Sequence, residues 1–221
     1  ISLLGLLVSG SYNTITGNTI TCSGGTISGY LISQLAVGMK CNGSHNTITG
    51  NTVDVNCEAK EIFGLHISKN HNTVTGNTVQ VHGSCAYYMY GIYAVGETGD
   101  GRHVITGNVI DVDETYCGEE IYEIIFGVYL DGTLFVAVSG NWVRAVTDNI
   151  AVRGIMLHTA KYTSLDGNTI GTYNPGGAER TGIYLYNTVN TVIDGNIIFA
   201  VNGIVQDGDG GTILGDNKLF S

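Results

Sequence analysis

Charge is scarce in this chain, and positive charge scarcest: 13% of its 221 residues are charged, nine basic against nineteen acidic. A formal balance of −10 with the lysines and arginines scattered excludes a nucleic-acid partner, because neutralising phosphates takes clustered basic residues. No run of about 18 apolar residues exists, so no helix-type membrane span is expected. Proline occurs once, at Pro175, while glycine reaches 33 residues, which points to many tight backbone turns rather than a disordered low-complexity chain. Neither CxxC nor a Cys/His zinc spacing is present. No segment keeps apolar residues at i, i+3, i+4 and i+7 through this glycine density, which excludes helical repeats.

What is present is a repeat. Gly-Asn pairs follow short alternating apolar runs at Gly17-Asn18, Gly50-Asn51, Gly76-Asn77, Gly107-Asn108, Gly140-Asn141, Gly167-Asn168 and Gly195-Asn196, with a degenerate copy at Gly215-Asp216-Asn217. The surrounding strings, such as NTITGNTI (13–20), NTVTGNTV (72–79) and TVIDGNII (191–198), read as strand, corner, strand. Alternating β-branched residues suit a pleat with one buried face, and Gly supplies a cheap positive φ at the corner. A second element recurs upstream of most copies, in Gly64-Leu65-His66-Ile67, Gly91-Ile92-Tyr93-Ala94, Gly127-Val128-Tyr129-Leu130, Gly154-Ile155-Met156-Leu157 and Gly182-Ile183-Tyr184-Leu185. With its first and third apolar positions inward, each repeat supplies about three strands, one coil of a parallel β-helix. A propeller blade needs about 40 residues or more, longer than these intervals.

The G-I-x-L and N-x-I-x-G-N-x-I strings, running from Gly5 to Asn217, resemble the parallel β-helix repeat family of pectate lyases, polysaccharide epimerases, phage tailspikes and surface proteins. The resemblance implies an all-β chain, a single right-handed parallel β-helix of about eight coils over residues 1–221. Both ends read as uncapped, since the pattern is already running at Gly5-Leu6-Leu7-Val8 and still running at Leu219. The start at Ile1 reads as a processed mature product or an excised fragment.

Stacked coils place equivalent residues about 4.8 Å apart. Asn18, Asn51, Asn77, Asn108, Asn141, Asn168 and Asn196 are therefore expected to form a structural ladder. Asn13, Asn46, Asn72 and His103 share a second row. The outward residues of the glycine-led strands, His66, Tyr93, Tyr129, Met156 and Tyr184, form either a platform for sugar rings or an interface ladder. The tyrosine cluster Tyr87, Tyr88, Tyr90 and Tyr93 is either contact surface or packing. Four residues after each strand glycine, Asp131 and His158 fall on adjacent coils, where a carboxylate orienting a histidine makes a general base. The same register sets no Ser or Cys nucleophile, Arg or Lys beside them.

The acidic run Asp111, Asp113, Glu114, Glu119, Glu120, Glu123 offers oxygen ligands and makes Ca²⁺ a candidate cofactor, against the alternative of a solvated loop. Cys22, Cys41, Cys57, Cys85 and Cys117 are either buried thiols or disulfide partners in an extracellular chain. Asn42-Gly43-Ser44 is a glycosylation sequon. The strings expected of family lyases, such as N-x-D, D-D, G-H-G and R-I-K, are absent. Two functions are expected from this reading. The first is a non-enzymatic, self-assembling structural protein at the cell surface, partnered by copies of itself in a sheath or fibre, with a resemblance in architecture to the cell sheaths of methanogenic archaea. The second is a carbohydrate-active or carbohydrate-binding β-helix with a polysaccharide partner.

Overall fold

The repeat closes into a right-handed parallel β-helix in the computed structural model, which describes residues 2–24, 33–96, 101–114, 124–148, 151–176, 179–208 and 210–221. Every strand pairing is parallel, and the described residues contain no helix. Strands are numbered in chain order. The first face stacks β1 (Ser2–Val8), β4 (Ser33–Cys41), the second half of β6 (Thr52–Ser68), the second half of β8 (Thr78–Val95), β11 (Ile124–Asp131), β14 (Ala151–His158), β17 (Arg180–Tyr186) and β20 (Asn202–Asp207). The second stacks β3 (Thr19–Gly24), the first halves of β6 and β8, β10 (Val109–Glu114), β13 (Trp142–Val146), β16 (Thr169–Tyr173), β19 (Ile197–Phe199) and β22 (Lys218–Phe220). The third holds β2 (Thr14–Thr16), β5 (Thr47–Thr49), β7 (Asn72–Thr75), β9 (His103–Thr106), β12 (Ala137–Ser139), β15 (Ser164–Asp166), β18 (Val192–Asp194) and β21 (Ile213–Leu214). β6 and β8 run unbroken around the bend between the first two faces, with a register shift at Ala59/Glu61.

The interior is filled by alternate residues of all three faces. Ile48, Ile105, Leu165 and Ile193 from the third face meet Val53, Val79, Ile110 and Ile170 from the second, all fully buried. Each such side chain contributes about 1.5–3 kcal/mol by leaving water. The glycine that leads each first-face strand is set by space. A Cβ on Gly64 would collide with the Val79 and Val81 side chains and the Gly91 carbonyl, so only glycine lets the first face lie this close to the second.

At the Gly-Asn corner every glycine from Gly17 to Gly195 has φ between 61° and 66°, the left-handed region where a side chain costs about 1–2 kcal/mol. Each asparagine then binds the next coil. The backbone N–H of Asn77 and its Nδ2 both donate to Oδ1 of Asn108 at 3.0 Å, while Asn108 Nδ2 donates to the Val74 carbonyl at 3.0 Å. The same pattern runs through Asn18, Asn51, Asn141, Asn168 and Asn196 and continues to Asn217. The second row, Asn13 to Asn46 to Asn72, repeats it with Oδ1 acceptors at 2.8 and 2.9 Å for the backbone N–H groups. His103 takes the next place in that row, buried, and burial pushes its pKa down to about 4.

The disulfides weighed for an extracellular chain do not form among the described thiols. Cys22, Cys41 and Cys57 are free and buried, packed as small apolar residues of the interior, and burial raises all three pKa values, Cys57 to about 12. Cys117 and the side chain of Cys85 lie outside the described residues.

Candidate functional site

The outer surface of the first face carries the chemistry. Around each strand glycine the alternation breaks, so the residue before it and the residue two after it both point outward. This yields two parallel outer rows. The first is Val37, Phe63, Tyr90, Phe126 and Arg153; the second is Lys40, His66, Tyr93, Tyr129, Met156 and Tyr184. Together they build an apolar cluster outside the coil, separate from the interior one, in which Phe63, Tyr90, Phe126 and Met156 are buried.

Phe63, Tyr90 and Phe126 stack at 4.6 and 5.1 Å between ring centres. Tyr93 and Tyr129 stack at 5.4 Å beside them, and Phe126 meets Tyr129 edge-on at 4.9 Å. Such pairs each add about 0.5–1.5 kcal/mol beyond burial. His66 lies against Phe63 at 5.2 Å and edge-on to Tyr93. Burial, with Lys40 nearby, pushes its pKa down to about 4, so it is a neutral packing ring at neutral pH. Of the tyrosine cluster, Tyr88, Tyr90 and Tyr93 belong to this outer layer, while Tyr87 is exposed with the Lys60 ammonium 5.7 Å from its ring centre.

The ladder changes character at its C-terminal edge. Asp131 and His158 sit opposite each other across β11 and β14, and Nδ1 of His158 lies 2.7 Å from Oδ1 of Asp131, both side chains about one-third exposed. Asp131 also lies close enough to the Tyr93 phenol to act on it, and the Tyr93 pKa is pushed up to about 12, first by burial and then by that carboxylate. Tyr129 is likewise raised by burial, then by Asp131 and Tyr93, with Arg153 acting against them. The His158 ring continues the stack, 6.3 Å from Tyr129 and 5.2 Å from Tyr186.

Arg153 stands on the same face but in a different register from the pair. It lies on the same strand as His158, in the row before the glycine. Its guanidinium carbon is 3.9 Å from the Tyr184 ring centre, Nη1 is 3.7 Å from Met156 Sδ, and Nη2 is 3.7 Å from Glu179. Tyr184 in turn donates its phenol to Asp207 at 3.3 Å.

In the described part of the acidic run the carboxylates have protein partners. Arg144 donates to Asp111 at 2.6 Å and to Asp113 at 3.1 Å, so a guanidinium already fills the space between the two carboxylates. Glu114 is buried and accepts from the Thr147 hydroxyl at 3.0 Å. Glu119, Glu120 and Glu123 lie outside the described residues. At the sequon, Asn42 Oδ1 accepts from the Ser68 hydroxyl at 3.0 Å.

Two features were outside the sequence reading. One is the row that ends in Arg153, legible in the residue before each strand glycine. The other is a corner stack one residue ahead of the Asn13 row. Tyr12, His45 and His71 lie parallel at 4.7 and 4.6 Å, and Phe135 and Tyr162 at 4.8 Å, all five with φ between 52° and 62°. Left-handed aromatic residues are unusual enough that nothing in the string announced them.

No family model and no curated protein matches the chain. Among solved structures it is similar to the A-module of the mannuronan C-5 epimerase AlgE4 of Azotobacter vinelandii. The two share 15% identity over 96% of this chain and 87% of that one, at a TM-score of 0.40. The fold assignment stands on the parallel register of the strands themselves.

Proposed function

We propose that this chain is a carbohydrate-binding β-helix that receives a polysaccharide on the outer surface of its first face, with the Asp131–His158 pair moving a proton on the bound sugar. The observation that supports this reading is the continuity of half-buried Tyr93, Tyr129 and Tyr184 with the 2.7 Å Asp131–His158 contact at their edge. Tyrosine offers a flat apolar face to the C–H surface of a sugar ring and a hydroxyl to its rim.

A carboxylate bonded at Nδ1 fixes the tautomer in which Nε2 takes up a proton. Tyr129, its pKa raised by burial and by Asp131, stays protonated and is the complementary donor. The proton that His158 Nε2 takes leaves a carbon made acidic by an adjacent uronate carboxyl, which holds the electron pair as an enolate, and the Tyr129 phenol returns a proton to that carbon and regains its own from solvent. Hydrolysis would require two carboxylates across the scissile bond. Arg153 supplies positive charge for a substrate carboxylate or ring oxygen. An extracellular or cell-surface location accompanies this reading.

Affinity gels cast with soluble neutral and uronate polysaccharides test the binding. Retention that falls at least tenfold in Tyr129→Ala/Tyr184→Ala supports the proposal; unchanged retention rejects it. In D₂O, the wild type is expected to place deuterium on a sugar carbon and His158→Ala to bind without doing so.

A second reading, self-assembly into a sheath or fibre, has a different observation in its favour. The corner aromatics Tyr12, Phe135 and Tyr162 are 78%, 51% and 49% exposed, a surface that a second copy lying alongside would cover. Electron microscopy of the full-length protein, showing ordered filaments or discrete particles, separates the two.

A further inference from the structure

The second face has a feature unrelated to the first. Its outward row reads Asp111, Arg144, Gly171, Phe199, Phe220 in register. Gly171 breaks that row. A Cβ built there meets nothing within 4 Å, and its backbone is of the ordinary kind, so neither crowding nor strain requires glycine. The missing side chain leaves a pit of about 340 Å³ between Arg144 on one neighbouring coil and Phe199 on the other, with Trp142, Thr169 and Tyr173 around it.

We infer that this pit is a second saccharide site, one that takes a single neutral sugar ring, independent of the surface carrying Asp131 and His158. Its aromatic walls are unusually open: Trp142, Tyr173 and Phe199 are 42%, 57% and 47% exposed, although burying large rings is the ordinary outcome. Phe199 is held upright by stacking on Phe220 at 4.9 Å. Size points to a small ligand. The volume sits at the lower end of small-molecule sites, about 300–1,000 Å³. Two strand spacings, about 9.6 Å, separate the coils that carry Arg144 and Phe199, too narrow for a helix of about 10–12 Å with its side chains.

Charge selects the kind of sugar. Among the described residues the cation at the rim is Arg144, already bonded to Asp111 and Asp113, so the patch carries an excess of negative charge and repels a uronate or a phosphate. The guanidinium has five N–H donors and commits two of them to those carboxylates. The rest, with the carboxylate oxygens, can bond hydroxyls around a ring resting on Trp142 or Tyr173.

Trp142 is the sole tryptophan of the sequence, so its emission reports on this pit alone. The test is a fluorescence titration of the intact protein with neutral hexasaccharides of β-1,4-glucose and α-1,4-glucose and with hexagalacturonate. A saturable change with at least one neutral ligand is expected, at least tenfold weaker for hexagalacturonate. Gly171→Leu, which fills the pit without a clash at Cβ, is expected to weaken it at least tenfold, and Tyr129→Ala/Tyr184→Ala to leave it unchanged. No saturable response to either neutral sugar would overturn the site. So would a response that survives Gly171→Leu, a preference for the uronate, or a concentration-dependent shift without sugar, which would mark a contact between copies. The double tyrosine variant separates failure here from failure of the first-face reading.

Discussion

The Gly-Asn corner and the outer first face are built by the same stacking operation and come out opposite in kind. At the corner one residue type recurs from coil to coil, each asparagine donating to the next at 2.9–3.0 Å, and the row has no place where chemistry changes. On the outer face the row reads Lys40, His66, Tyr93, Tyr129, Met156, Tyr184, and its neighbours Asp131, His158 and Arg153 occur once each. Uniform rows are how a solenoid holds its coils together; rows that change from coil to coil are where a particular reaction or ligand can be placed.

The largest effect is expected in the uniform row. Asn108→Ala removes the acceptor for Asn77 and the donor to the Val74 carbonyl in a buried corner. With each orphaned group costing ~1–3 kcal/mol, about 4 kcal/mol should be lost in chemical denaturation. Asn18→Ala, at the exposed start of the ladder, should cost less than about 1 kcal/mol. Equal losses would break the comparison, since burial and not the repeat alone sets the difference.

His103 sharpens it, as a titratable residue in a row of asparagines. Its pKa is lowered to about 4 by burial, below the ordinary 6.5. Between these values the unfolded chain takes a proton that the folded chain refuses. Stability is therefore complete above about pH 6.5 and falls as the pH drops toward 4, by up to ~3 kcal/mol. His66 acts with the same sign. His103→Asn, which restores the residue of its own row, should remove about half of this acid-side loss; an unchanged profile of denaturation midpoint against pH would deny His103 the role.

In the varied rows stability should respond less than binding. Tyr129→Ala/Tyr184→Ala is expected to lower saccharide affinity at least tenfold, about 1.4 kcal/mol. Arg153→Gln gives the smallest effect on folding. Loss of its contact with Tyr184 should cost about 0.5–1 kcal/mol, read as a small shift in denaturation midpoint.

Much of this was legible in the string because it is periodic. The Gly-Asn pairs predicted the positive φ and the ladder, and alternation after each strand glycine put His66, Tyr93, Tyr129, Met156 and Tyr184 on one outer row and Asp131 beside His158. What stayed hidden has physical causes. The glycine interrupts the alternation, so the outer row of Phe63, Tyr90, Phe126 and Arg153 went unplaced. The unbroken course of β6 and β8 around the bend has no turn residue to mark it. The pit at Gly171 is a missing side chain in a row whose other members differ in type, which no repeat pattern reveals.

The most direct measurement is a crystal structure of the protein soaked with an oligosaccharide that the affinity gels select. The account predicts a sugar ring lying on Tyr129, with a ring C–H facing Nε2 of His158 and a polar substituent near Arg153. A ligand bound elsewhere on the coil, with the first face bare, would contradict it.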